Sequence, residues 1–194
     1  MPKTALLKDM KMRPVGYLEN FASRLDEEPK TMVVIDRALA ERGHRRKGQG
    51  RVIPAPTLRE DLMLMLTVMV RKARGSGSGI QAAIEDAEKF ATLPVMQMSG
   101  DFFNSLKSAT FIEALEEFCT RLRQRDDDCL QAVGSHFVLE LNLTKEEAHI
   151  DGSDASKNHV IFGCNASRVG RDLTRISRLR DGFLVMLAHT PRDD

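Results

Sequence analysis

Residues 28–75, EPKTMVVIDRALAERGHRRKGQGRVIPAPTLREDLMLMLTVMVRKARG, decide how this chain is read. Pro29 suits a first helical turn, where its missing N–H is not needed. Val33, Val34, Ala38 and Leu39, with Ile35 and Ala40 alongside, give that helix a broad apolar side. Arg42 falls in the last turn, and Gly43 is placed for a left-handed cap. The arm from His44 to Pro56 follows, and Pro54 and Pro56 disfavour helix at Ile53 and Ala55. Thr57-Leu58-Arg59-Glu60 is a capping-box pattern that opens a second helix. That helix is apolar nearly all round from Leu62 to Val70, so it is buried by its own domain or by another subunit.

Outward from this core stretch, Tyr17 to Leu25 carries apolar residues at helical spacing and predicts a short helix. Residues 1–15 hold Lys3, Lys8, Lys11 and Arg13 and read as a flexible basic tail. Gly75-Ser-Gly-Ser-Gly79 is the clearest linker. Ile80 to Leu93 predicts a helix with Ile80, Ala83, Ile84, Ala87 and Phe90 inward. Thr110-Phe-Ile-Glu113 is a second capping box, opening a helix through Leu122 that Asp126-Asp-Asp128 is expected to break.

The pattern changes after Gly134. His136 to Leu143 alternates strictly, with Phe137, Leu139, Leu141 and Leu143 on one side, as a half-buried strand requires. Ala148–Ile150 and Val160–Phe162 are candidates to pair with it, separated by the turn-forming Asp151-Gly-Ser-Asp154. Arg171 to Ile176 is a candidate for a further strand, and Asp181 to Leu187 for a closing helix. The expectation is an α+β fold: an N-terminal helical part of about five helices, then a small antiparallel sheet and a short C-terminal helix. The parts divide as a tail (1–15), a helical part with the basic arm (16–75), a helical part after the linker (76–130) and a small α+β part (131–194).

Composition bounds the function classes. The chain has 194 residues, 42% of them hydrophobic and 29% charged, which is ordinary globular usage. Net charge is +1, so affinity for a polyanion would have to come from local clustering. Cys119, Cys129 and Cys164 are scattered, odd in number and without CxxC spacing, so no zinc signature is present and a reducing compartment is expected. The N-terminus lacks a signal-peptide apolar core, and the apolar run Leu62 to Val70 is about half a membrane span. A cytoplasmic protein with no membrane partner is the expectation.

No catalytic motif stands out. His136, His149 and His159 lack HxH, HxxxH or HExxH spacing, and no GxSxG surrounds any Ser, Ser153 included. Gly75–Gly79 follows a helix and lacks the GK[ST] of a phosphate loop. No catalytic residue, metal site or cofactor is assigned. The feature that points to a partner is the arm. Arg42, Arg45, Arg46, Lys47 and Arg51 fall within ten residues without an intervening acid. Such a cluster gains by releasing condensed counterions from a nucleic acid.

The reading is a non-enzymatic protein of regulatory or phage-packaging type that binds double-stranded DNA. Arg42, His44, Arg45, Arg46, Lys47, Arg51, Arg59, Arg71 and Lys72 are the candidate contacts. The connector between the flanking helices is far longer than a helix-turn-helix turn, so the arm is the expected reader. A homo-oligomer formed through Leu62, Met65, Leu66 and Met69 is expected to cover the apolar helix. The alternative is a protein–protein adaptor without nucleic acid, offering the edge of the strand at 136–143 to a partner.

Overall fold

The computed structural model describes residues 13–48, 53–75, 77–133, 138–152, 159–163 and 176–180. Their order is α1 (Tyr17–Arg24), α2 (Pro29–Glu41), α3 (Leu58–Arg74), α4 (Ile80–Ala91), β1 (Val95–Ser99), α5 (Asp101–Asn104), α6 (Phe111–Gln124), α7 (Asp127–Val133), β2 (Val138–Asn142), β3 (Glu147–Asp151), β4 (His159–Gly163) and β5 (Ile176–Arg180). This is an α+β fold, helices first and an antiparallel sheet after.

The helices end where their local chemistry says they should. Gly43, at φ 86°, takes the left-handed position after α2. There the Gly43 N–H donates to Ala40 O and the His44 N–H to Leu39 O, at 3.3 and 2.9 Å. This Schellman pairing satisfies carbonyls that the helix leaves open. Asp26, also left-handed, does the same for α1, with the Glu27 N–H on Ala22 O. Only Leu25–Glu28 therefore separate α1 from α2. At α3 the capping box closes: Thr57 Oγ1 accepts from the Glu60 N–H, and Glu60 Oε2 accepts from the Thr57 N–H at 2.6 Å.

α3 is the central element. Residues Glu60 to Val70 are all buried, and α2, α4, α6 and β5 pack around the helix. Leu62, Met65, Leu66 and Met69, expected at an oligomer interface, are 0–3% exposed inside the chain's own core. The apolar circumference is thus covered by four other elements of the same chain, and those four side chains are buried in its own core. One continuous cluster of buried side chains runs from Tyr17 to Phe162. α3 and α4 pack directly against each other across Gly75–Gly79, so the core does not divide there.

The sheet order is β1-β4-β3-β2-β5, with every pair antiparallel. Leu139, Leu141, Ala148, Ile150, Val160 and Phe162 point to the core, as the alternation predicts. Phe162 meets Phe111 of α6 at 5.1 Å between ring centroids, which ties the sheet to the helices. β2 pairs on both sides, with β3 and β5, so the strand expected to offer an edge is interior.

Some expectations change. β1, which lies among the helices in sequence, joins the sheet through β4. Asp126 does not simply end the helical run: its Oδ1 accepts from the Cys129 N–H at 3.1 Å and starts α7. A strand lies at Ile176–Arg180, while residues 171–175, where most of the further strand was expected, and the expected helix at 181–187 lie outside the described residues. Arg13, placed in the tail, is instead anchored, its N–H donating to Ile53 O at 2.9 Å. Among the described residues no helix is long and apolar enough to cross a membrane.

Candidate functional site

The cations singled out in the sequence fold mostly onto carboxylates. Arg45 is the extreme case. Its side chain is 1% exposed and sits between Asp36, with Nε 2.5 Å from Oδ1, and Asp61, with Nη1 3.4 Å from Oδ1. The Asp36 contact is an ion pair without hydrogen-bond alignment, and Nη1 also donates to Glu60 O at 3.1 Å. Tyr17 donates its hydroxyl to Asp61, and the guanidinium of Arg13 grips Asp36 through both terminal nitrogens at 2.9 and 3.2 Å. Burial alone would lower the Arg45 pKa, but Tyr17, Asp36 and Asp61 more than offset it and hold the guanidinium charged. Burial and the Asp61 carboxylate push the Tyr17 phenol above its usual range, so it stays a donor. This group pins the arm to α1, α2 and α3. It leaves Arg45 unavailable to phosphate.

The other arm cations are partnered nearer the surface. Arg42 forks onto Glu88, Nε at 3.0 Å and Nη2 at 2.7 Å, and His44 Nε2 approaches the same carboxylate at 2.6 Å. Burial would raise the Glu88 pKa, but Arg42 and His44 hold it below the usual carboxylate value. Arg46 bonds Glu60 and the carbonyl of Ala55. Arg59 reaches Glu116 at 2.9 Å, Arg71 reaches Glu27 at 2.6 Å, and Lys72 reaches Asp26 at 3.5 Å. Arg51 lies outside the described residues. Of the arm's described cations only Lys47 is exposed with no ion pair or hydrogen bond among the described residues. Arg42, Arg45 and Arg46 of this run are thus paired with acids distant in sequence, at positions 36, 60, 61 and 88, which no local pattern could reveal.

The structure adds residues that the sequence reading placed wrongly. Val33 and Val34, expected on the apolar side of α2, are 41% and 50% exposed. The buried stripe of α2 is Met32, Ile35, Ala38 and Leu39 instead. The opposite face carries Lys30, Val33, Val34 and Arg37, a spacing of i, i+3, i+4 and i+7 that lines one side of a helix. Lys30 and Arg37 are exposed and have no ion pair among the described residues. The signal was present in the sequence, since two helical stripes compete across Met32 to Leu39 and only one can face the core.

A cleft of about 480 Å³ opens beside the arm, between the first turns of α3 and α6 and the last turn of α4. Arg46, Arg59, Glu60 and Glu88 line it, over a floor of Met63 and Ile112. Elsewhere, His149 lies 3.4 Å from Glu147 and His159 Nε2 lies 3.2 Å from Gln97. His136, Ser153 and Cys164 fall outside the described residues, and among those described no three side chains could hold a metal ion together. Cys119 and Cys129 are buried and unbridged, and burial pushes the Cys129 thiol up to about 12, which makes it inert at neutral pH. Comparisons with family models, with curated proteins and with solved structures find no match to this chain.

Proposed function

We propose that this protein binds double-stranded DNA through the outward face of α2, with the basic arm beside it as a phosphate contact. The observation that carries the reading is the face itself: two cations without acidic partners among the described residues flank two exposed valines on one helix. Helices α1 and α2 are joined by Leu25–Glu28, the length of a helix-turn-helix connector, and in that motif the second helix enters the major groove. Valine side chains suit the thymine methyl, and Lys or Arg suits guanine edges and phosphates. Asp26 and Glu27, which precede α2, are engaged by Lys72 and Arg71, so their charges are offset on the flank that would approach DNA. Lys47 extends the positive surface onto the arm. The candidate contacts therefore keep Lys47 and gain Lys30 and Arg37, in place of the partnered Arg42, Arg45 and Arg46.

A regulatory or packaging-type role fits a protein that holds duplex DNA on a helix face. The test is a titration of labelled duplex DNA at several salt concentrations with the parent and with Lys30→Ala/Arg37→Ala. Each lost phosphate contact lowers the slope of log affinity on log salt by about 1, so the double variant is expected to lower it by about 2. Parent-like binding by the double variant sinks the reading. The exposed valines favour one other reading, a protein partner docked on α2, and its mark is a complex indifferent to moderate salt.

A further inference from the structure

The cleft beside the arm is not used by the α2 reading, and its hydrogen-bonding capacity is lopsided. Its two carboxylates are occupied by the protein itself. Glu60 Oε1 takes the Arg46 N–H at 2.6 Å and Oε2 the Thr57 N–H at 2.6 Å. Glu88 Oε1 takes Arg42 Nε and faces His44, and Oε2 takes Arg42 Nη2. The donors are less committed. Among the described residues Arg59 spends only Nη1, on Glu116, and its side chain is 56% exposed. Arg46 leaves Nη1 open among the described residues and is 38% exposed. A site with filled acceptors and spare guanidinium donors selects a ligand that accepts hydrogen bonds and carries negative charge.

We infer that this cleft binds a small organic monocarboxylate, held at its carboxylate by Arg59 and Arg46 with its hydrocarbon over Met63 and Ile112. A volume of about 480 Å³ falls in the range of small-molecule sites, roughly 300–1,000 Å³. The floor is apolar, as such sites generally are, with a few polar groups to fix orientation. Glu60 and Glu88 face the same space, so a dianion meets repulsion that a monoanion largely escapes. The inference stands apart from the α2 reading, because Arg59 and Arg46 lie on a different surface element from Lys30 and Arg37.

The experiment uses the full chain with labelled Met and Ile methyl groups, titrated with sodium hexanoate at constant ionic strength. Hexanol and hexylamine serve as uncharged and cationic counterparts of the same length. Hexanoate is expected to shift the Met63 and Ile112 methyl resonances saturably. Arg59→Gln should weaken it by about tenfold or more, as loss of a charge-assisted contact does. Because Arg59 is on the surface, its variant should melt like the parent; Thr92→Phe, which fills the mouth of the cleft, should abolish the shifts by another route. The assignment is overturned if hexanoate gives no saturable shift, or if hexanol or hexylamine binds as tightly. Displacement of hexanoate by duplex DNA would also overturn it, making the cleft a backbone-phosphate contact.

Discussion

Arg37 and Arg45 are eight residues apart, yet they end in opposite surroundings. Arg45 is enclosed by two aspartates and a tyrosine, while Arg37 stands on the solvent side of α2 beside Lys30 and two exposed valines. Both are cations from one basic stretch of sequence. One holds the fold together and the other is available to a partner. A charged residue becomes a binding residue when the fold leaves it unpaired, and local charge density says nothing about that.

The comparison is broken most directly at Arg45. Arg45→Met is expected to cost about 3–5 kcal/mol, because Asp36 and Asp61 would keep buried charge without the cation between them. Urea unfolding measures it, and a cost under about 1 kcal/mol would mean the cluster is not the anchor described. Arg37→Ala should stay within about 0.5 kcal/mol of the parent in the same assay. Affinity should respond in reverse, with Arg37→Ala weakening DNA binding and Arg45→Met, where still folded, leaving the salt slope unchanged.

Within the arm the contrast sharpens between neighbours. Arg46→Ala removes bonds to Glu60 and Ala55 and should cost about 1 kcal/mol with little change in salt slope. Lys47→Ala should leave stability alone and lower the slope by about 1. If both variants changed DNA binding equally, pairing with Glu60 would not be what removes Arg46 from service. Thr57→Ala opens the capping box of α3 and is expected to cost about 1 kcal/mol, read in the same unfolding assay.

The smallest effect concerns pH. Glu88 is held below its ordinary 4.5 against burial by Arg42 and His44. Glu113 is held below 4.5 by hydrogen bonds with Thr110 and Ala109. In both, the folded state keeps the carboxylate ionised where the unfolded chain takes up a proton. Their contribution is therefore present above 4.5 and is lost as pH falls through the lowered folded values. Glu88→Gln and Glu113→Gln should each flatten the fall in urea midpoint below 4.5; a variant that falls as steeply as the parent would remove that carboxylate from the account.

Some of this was written locally and some was not. The two capping boxes, the Gly43 cap and the alternation through β2 are short-range rules, and each specified its element before any contact was known. The apolar character of α3 demanded burial and left open what would supply it. Only packing showed that α2, α4, α6 and β5 do so, which removes Leu62, Met65, Leu66 and Met69 from any exposed surface. β1 was hidden because its partner β4 lies more than sixty residues on, and five residues between helices give no period of their own.

The candidate site divides in the same way. By itself the sequence determined which residues are cationic, where helices start and stop, and which segments alternate, because these depend on neighbours a few positions away. The tertiary structure alone decided which cations stay free. Asp36, Glu60, Asp61 and Glu88 reach the arm through space, from three different helices, and they convert most of a basic run into ion pairs. It also decided which of two competing stripes on α2 faces water, since an apolar face is fixed by the surface it packs against.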